Sequence, residues 1–366
     1  MQSDHRPLLD FDPTLDPATP IECLGEVTIP SGIVLVIDTG QLDFWSHDRA
    51  PILEEGTMED QRIEEIINSC VDLKIVGADA IAAGQTFHRQ WDPRFLYDIP
   101  ANGIEKMRGL FSECLQGKQL DAAIQEMPAR VSHRQRVDLA LEWGKGQGEI
   151  QYHGVPAIVA NGLPQNQAMK VYGVRMNEPR HRYRWRWVWL EVQSGSPTTK
   201  SEEVGVVGVD RARLMFTDVD ALGQWEHEMP LDEQADYVFW GRDAAVVAKT
   251  TRAPKQAEGY GWIDLSVEEA VERGTKVEEY CEKHGLRIAA DFRPHSHHYE
   301  VMKQVRATPT ESGVIEVGGA KMCVFMTSWG DGIFPVFADR DQTGQLLRLR
   351  IDLGNEQQVQ ILDSLN

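Results

Sequence analysis

Between residues 180 and 190 the chain reads Arg-His-Arg-Tyr-Arg-Trp-Arg-Trp-Val-Trp-Leu. No other stretch limits the fold so sharply. Side chains alternate between the faces of an extended strand, so Tyr183, Trp185, Trp187 and Trp189 would share one face and Arg182, Arg184 and Arg186 the other. An indole stripe of that size must be buried, which requires a second layer over it. The opposite face would carry guanidinium groups roughly 7 Å apart along the strand. Such a row can grip phosphates or carboxylates bidentately. It can equally form a ladder with Asp and Glu on a neighbouring strand.

The sequence around this stretch changes texture at Gly144-Lys145-Gly146-Gln147-Gly148. Before it, residues 1–20 hold four prolines and no periodicity, which predicts a mobile arm. A β-branched segment at 26–37 turns at Asp38-Thr39-Gly40 into a second short strand through Phe44. Helices are expected at 57–68, 103–116 and 120–127, and a fourth is capped by Ser132 and runs to Trp143. After the glycines, strands are expected at 149–152, 157–160, 169–175, 181–192, 204–209, 213–217, 237–240 and 244–249. Ser266-Val267-Glu268-Glu269 is a capping box that opens one helix, and Gly285 stops it after His284. Strands resume at 287–292, 299–307, 314–317, 322–327, 333–338 and 346–353. The expected class is α+β. An acidic, mixed α/β N-terminal domain (1–145) with a helical part would precede a mostly antiparallel β sandwich or barrel-like domain (146–366) with one packed helix.

Charge narrows the partners. The chain carries a formal net charge of −20, and residues 1–70 hold 15 acidic against 3 basic side chains. Such a surface repels nucleic acid and anionic membranes and favours a basic partner protein, such as a toxin. Near the N-terminus no apolar run exceeds 33–37, and no cationic and apolar leader is visible. Cys23, Cys70, Cys114, Cys281 and Cys323 are scattered and form no Cys-x-x-Cys pair, which fits a reducing, cytoplasmic setting.

One pattern, a strand followed by a tight turn and a second strand, recurs at 37–44, 209–216 and 317–324. It reads as one hairpin used three times, with Asp or Gly at the turn. The end of the chain runs Phe325-Met326-Thr327-Ser328-Trp329-Gly330-Asp331-Gly332-Ile333-Phe334-Pro335-Val336-Phe337, then Asp341-Gln342-Thr343-Gly344 and Leu349-Arg350-Ile351-Asp352. This resembles the closing signature of a bacterial family, domain of unknown function 4241, and the resemblance extends back over about 150–353 through Gly208-Val209-Asp210. Ser328 stands where that family often has an extra glycine, and the 266–284 helix lies outside its pattern. The resemblance implies a β-rich bacterial protein and supplies no catalytic residue.

Three functional readings follow. The leading one is an acidic binding protein for a basic partner, with Trp329 and Asp331 near the binding surface. The second is a sensor in which Arg182, Arg184 and Arg186 grip a small anionic ligand, again beside Trp329 and Asp331. The third is a metal-dependent hydrolase. In Arg293-Pro294-His295-Ser296-His297-His298, an extended chain would point His295 and His297 the same way toward a divalent metal. Asp331 or His227 would supply a third ligand, and Glu226 or Glu228 a general base. Gly-x-Ser-x-Gly nucleophile elbows and Walker phosphate loops are absent from the sequence.

Overall fold

The computed structural model describes residues 20–47, 69–88, 92–177 and 180–354. The expected N-terminal arm and the expected helix at 57–68 lie outside them. The strands are β1 (Ile21–Thr28), β2 (Ile33–Asp38), β3 (Cys70–Val76), β4 (Phe95–Pro100), β5 (Ala123–Glu126), β6 (Gln147–Tyr152), β7 (Val155–Asn161), β8 (Ala168–Arg175), β9 (Trp185–Glu191), β10 (Lys200–Val209), β11 (Arg213–Asp218), β12 (Gln234–Trp240), β13 (Lys255–Gln256), β14 (Gly259–Ser266), β15 (Ala289–Pro294), β16 (Ser312–Val317), β17 (Ala320–Met326), β18 (Gly332–Arg340) and β19 (Leu346–Asp352). The helices are α1 (Ala80–Phe87), α2 (Ile104–Leu115), α3 (His133–Trp143), α4 (Ala244–Thr251), α5 (Val267–His284) and α6 (His297–Ala307).

Every strand pairing is antiparallel, and the strands form four sheets ordered β1-β8-β9-β19-β18-β10, β16-β17-β11-β2-β7-β6, β4-β3-β5 and β13-β14-β12-β15. This corrects the expected division into a helical N-terminal part and a β C-terminal part with one helix. Strands run from one end of the described chain to the other, and helices are dispersed among them. The chain forms two compact units, 1–224 with 304–366, and 225–303. The glycine run 144–148 lies inside the first unit, where it ends α3 and starts β6. There the two six-stranded sheets share one core that contains Val36, Val171, Trp185, Val207, Phe216, Phe325, Val336 and Leu349.

The sheet orders expose an internal duplication. Replacing β1, β2, β6, β7, β8 and β9 by β10, β11, β16, β17, β18 and β19 turns each six-stranded order into itself reversed. The same substitution carries β4-β3-β5 onto β14-β12-β15, to which β13 is added. Helices α1, α2 and α3 fall where α4, α5 and α6 fall in the second copy. The strands that meet their own counterparts are β2 with β11 and β9 with β19. The repeat is therefore twofold and spans half the chain, which revises the hairpin grammar. Residues 317–320 are the hairpin turn between β16 and β17, whereas 209–213 carry the chain from one six-stranded sheet to the other, and Asp38 opens a 3-10 turn over Thr39–Phe44.

Three local expectations are corrected. Residues 244–249 are helical, because Ala244, Val247 and Ala248 share a face buried on Tyr237 and Phe239. Residues 299–307 belong to α6, which buries Val301, Met302 and Val305. Residues 120–127 contain the strand β5, paired with β3.

Candidate functional site

Two members of the arginine row, Arg184 and Arg186, are engaged within the protein, while Arg182 is exposed. Arg182 and Arg184 precede β9, and Tyr183 is 58% exposed. Val174 pairs with Trp187 and Arg175 with Trp185, so Arg186 is an extra residue in the ladder. That bulge reverses the alternation. Trp185 packs in the shared core, while Trp187 and Trp189 pack with Tyr172 and Val174 on the other side. The Arg184 guanidinium lies 4.8 Å from the Trp329 ring and donates to the Ser328 carbonyl at 2.7 Å. Arg186 sits 3.9 Å from the Asp352 carboxylate. The Trp329 indole N–H donates to the Trp185 carbonyl, and Asp331 accepts the Ala212 N–H. These contacts close the Trp-Gly-Asp-Gly turn onto its neighbours and use the polar groups that a ligand would need.

The duplication identifies a second place. Each copy carries Trp-x-His after its 3-10 turn, at Trp45/His47 and Trp225/His227, and in each the indole N–H donates to the imidazole Nδ1. Each copy carries Ser-His at the start of its third helix, Ser132-His133 and Ser296-His297, and there the histidine Nδ1 accepts a backbone N–H, from Ser46 or from Glu226. Each also carries an aspartate in the bulge of its third strand, Asp72 or Asp236. That carboxylate accepts the N–H of a second aspartate, Asp98 or Asp264. Both second aspartates have left-handed backbone, with φ 56° and 55°. Asp is one of the few residues that adopts this conformation readily.

The two aspartate pairs are neutralised differently. In the first copy, Arg136 donates to Asp98 at 2.7 Å and to Asp72 at 3.2 Å, and Arg130 reaches Asp98 at 2.5 Å. Burial would lift Asp98, but bonds from His133 and the charge of Arg136 overcome it and hold the carboxyl far below its usual range. Burial raises Asp72 against the pull of Arg136. In the second copy, Glu300 occupies the helix position of Arg136, and Pro294 that of Arg130. The aspartates there face His295, whose Nδ1 lies 3.0 Å from Asp232 and whose Nε2 lies 3.0 Å from Asp236. Burial lowers His295, and the two carboxylates more than offset it and raise it. The Tyr299 hydroxyl donates to the other Asp236 oxygen at 2.6 Å.

Of the expected metal ligands, His295 therefore meets carboxylates, but its companions differ from those expected. His297 begins α6 and is not on a strand with His295; it faces Trp225 at 5.7 Å. His227 stacks on His298 at 4.2 Å. Among the described residues, the groups that bring three candidate ligand atoms together are Asp236, Asp264 and His295, and Asp98, His133 and His153. Neither contains His297, His227 or Asp331. No family model matches the chain, and no curated protein or solved structure matches it.

His133 provides a pH test of the first copy. Burial pushes it down to about 3, so it is neutral in the folded protein at pH 7. The unfolded chain takes up this proton near pH 6.5, so the histidine's contribution to stability is lost as pH falls below that value. Asp43, raised by burial to about 6, acts in the opposite sense. The histidine's share is therefore read as a difference between variant and parent. Asn at 133 would keep an acceptor for the Ser46 N–H. Urea unfolding should show the gap between parent and His133→Asn narrowing by about 2 kcal/mol from pH 7 to pH 5. Parallel curves would show that His133 is not held neutral.

Proposed function

We propose that the chain is a binding protein for a basic protein partner. The observation that carries this reading is the outer face of α5. Its buried side, Ala270, Gly274, Val277 and Cys281, docks on its sheet. Its exposed side presents Glu268, Glu272, Glu278, Glu279 and Glu282. Glu272 pairs with Lys276, and Lys283 and His284 sit in the last turn, where they suit the helix dipole. Glu278, Glu279 and Glu282 are exposed toward that end and offer carboxylates to a cation. The net charge of −20 adds a long-range field that steers basic proteins toward this face. The inward engagement of Arg184 and Arg186 gives the anion-sensor reading no comparable support.

Immobilised full-length chain should retain basic proteins from a lysate at about 50 mM salt and release them by about 300 mM, where charges are screened within a few ångströms. Combined Glu278→Lys, Glu279→Lys and Glu282→Lys should slow association about tenfold or more. A captured set with no excess of basic proteins, or one indifferent to the reversal, overturns the reading.

A further inference from the structure

The geometry points to a site for one zinc-class divalent transition ion formed by Asp236, Asp264 and His295. Three observations on separate parts of the second copy support it.

The first is the disposition of donor atoms. The His295 Nε2 lies 3.0 Å from the Asp236 Oδ1 and 3.9 Å from the Asp264 Oδ1. One ligand atom from each residue falls within 4.8 Å of the others. Zinc–nitrogen and zinc–oxygen bonds of about 2.0–2.2 Å require tetrahedral ligand atoms to stand about 3.3–3.5 Å apart. The three atoms are thus almost in place, and the ion would occupy the position of the Nε2 proton, which leaves to solvent. The mixed imidazole and carboxylate set favours zinc, manganese or ferrous iron over magnesium or calcium, which prefer all-oxygen shells.

The second is the outer support. The other ring nitrogen, Nδ1, is 3.0 Å from Asp232, which fixes the imidazole so that Nε2 faces the aspartates. Carboxylate–histidine–metal triads have this arrangement. Tyr299 occupies the second oxygen of Asp236, so Oδ1, which also accepts the Asp264 N–H, is the oxygen that would reach the ion. His295 is 5% exposed and Asp236 4%, whereas the Asp264 side chain is 64% exposed. Two ligands are therefore rigidly held, and the third opens to solvent, the route by which an ion and a remaining water ligand would enter.

The third is the comparison of the copies. The equivalent aspartates of the first copy are bridged by Arg136, with Arg130 beside them, so two negative charges face two positive ones. In the second copy, the ion-pair partner of Asp232, Asp236 and Asp264 among the described residues is His295. A divalent ion in place of the Nε2 proton would lower the excess negative charge there, the task that the guanidinium groups perform in the first copy. The geometrically similar group Asp98, His133 and His153 is a poor rival. Asp98 already binds two guanidinium groups, whose positive charge opposes a cation there.

The test uses the full chain, stripped with chelator and titrated with zinc against a chromophoric competitor. One zinc should bind per chain, and equimolar magnesium should not displace it. Asp264→Asn is the decisive variant, because asparagine tolerates the left-handed backbone and the side chain is exposed, so folding is preserved. It should weaken zinc binding more than tenfold. Asp232→Asn, which changes only the outer carboxylate, should weaken it about 10–100-fold. Absence of stoichiometric zinc overturns the proposal, as does zinc whose affinity is unchanged in Asp264→Asn. Neither result bears on the glutamate face of α5.

Discussion

Arg136→Met is expected to destabilise the protein by about 3–5 kcal/mol, the usual penalty for removing one partner of a buried ion pair. The arginine is 1% exposed, and Asp72 and Asp98 beside it are 1% and 8% exposed. Its guanidinium also donates to the Gln151 and Val131 carbonyls and lies 4.2 Å from the Tyr97 ring. Methionine would fill much of the volume but none of these roles. Asp72 would then be a buried carboxylate without its cation, and Asp98 would keep Arg130 alone. Desolvation, rather than loss of attraction, sets the size of the effect. The double variant Arg136→Met, Asp72→Asn removes the stranded charge, leaves the Arg130–Asp98 pair in place and should recover at least half of the loss. Urea midpoints at pH 7 measure both. A single variant within about 1 kcal/mol of the parent would mean that the aspartates reach water or take up protons at little cost.

How much of this was legible in the sequence depends on how local the signal is. Helix α5 is written in its ends: Ser266 accepts the Glu269 N–H, and Gly285 takes the left-handed stop. Helix α3 is written in Ser132 in the same way, through a complete capping box. The tryptophan strand was half legible. Period-two alternation predicts burial of the indoles, and Trp185 and Trp189 are buried. The bulge at Arg186 escapes detection because the extra residue is one more arginine in a row of arginines. Val246 and Val247 suggest a strand by propensity, but packing on the sheet makes the segment a helix. The twofold repeat is hidden for a different reason. Asp38, Trp45 and His47 recur 180 positions later as Asp218, Trp225 and His227, whereas Asp72, Ser132 and His133 recur 164 positions later as Asp236, Ser296 and His297. A change of spacing within each copy defeats a search for one period. The metal candidate was legible only as His295. Asp236 lies 59 residues before it and is brought to it by strand pairing.

The pairing of the copies should depend on two aspartates that clasp each other's turns. Asp38 ends β2, and its side chain accepts the Gly40 N–H at the start of its own 3-10 turn. It also accepts the Asp210 and Arg211 N–H groups in the turn leading into β11. Asp218 ends β11 and does the reverse, accepting the Asp220 and Ala221 N–H groups of its own copy and the Ser31 N–H and hydroxyl in the turn leading into β2. Both carboxylates are essentially fully buried, so an alanine at either position leaves several backbone donors without an acceptor or water. Each stranded donor costs about 1–3 kcal/mol, and either Asp38→Ala or Asp218→Ala should therefore cost at least about 3 kcal/mol in urea unfolding. The double variant separates two possibilities. If the clasps are independent, the losses add. Because β2 and β11 are hydrogen-bonded to each other and each aspartate secures the entrance to the other's strand, opening one turn frees the strand that presents the second carboxylate. The combined loss should then fall short of the sum by about 1 kcal/mol or more. Strict additivity would show that the strands stay paired without the clasps, leaving the shared core of the two sheets to hold the copies together.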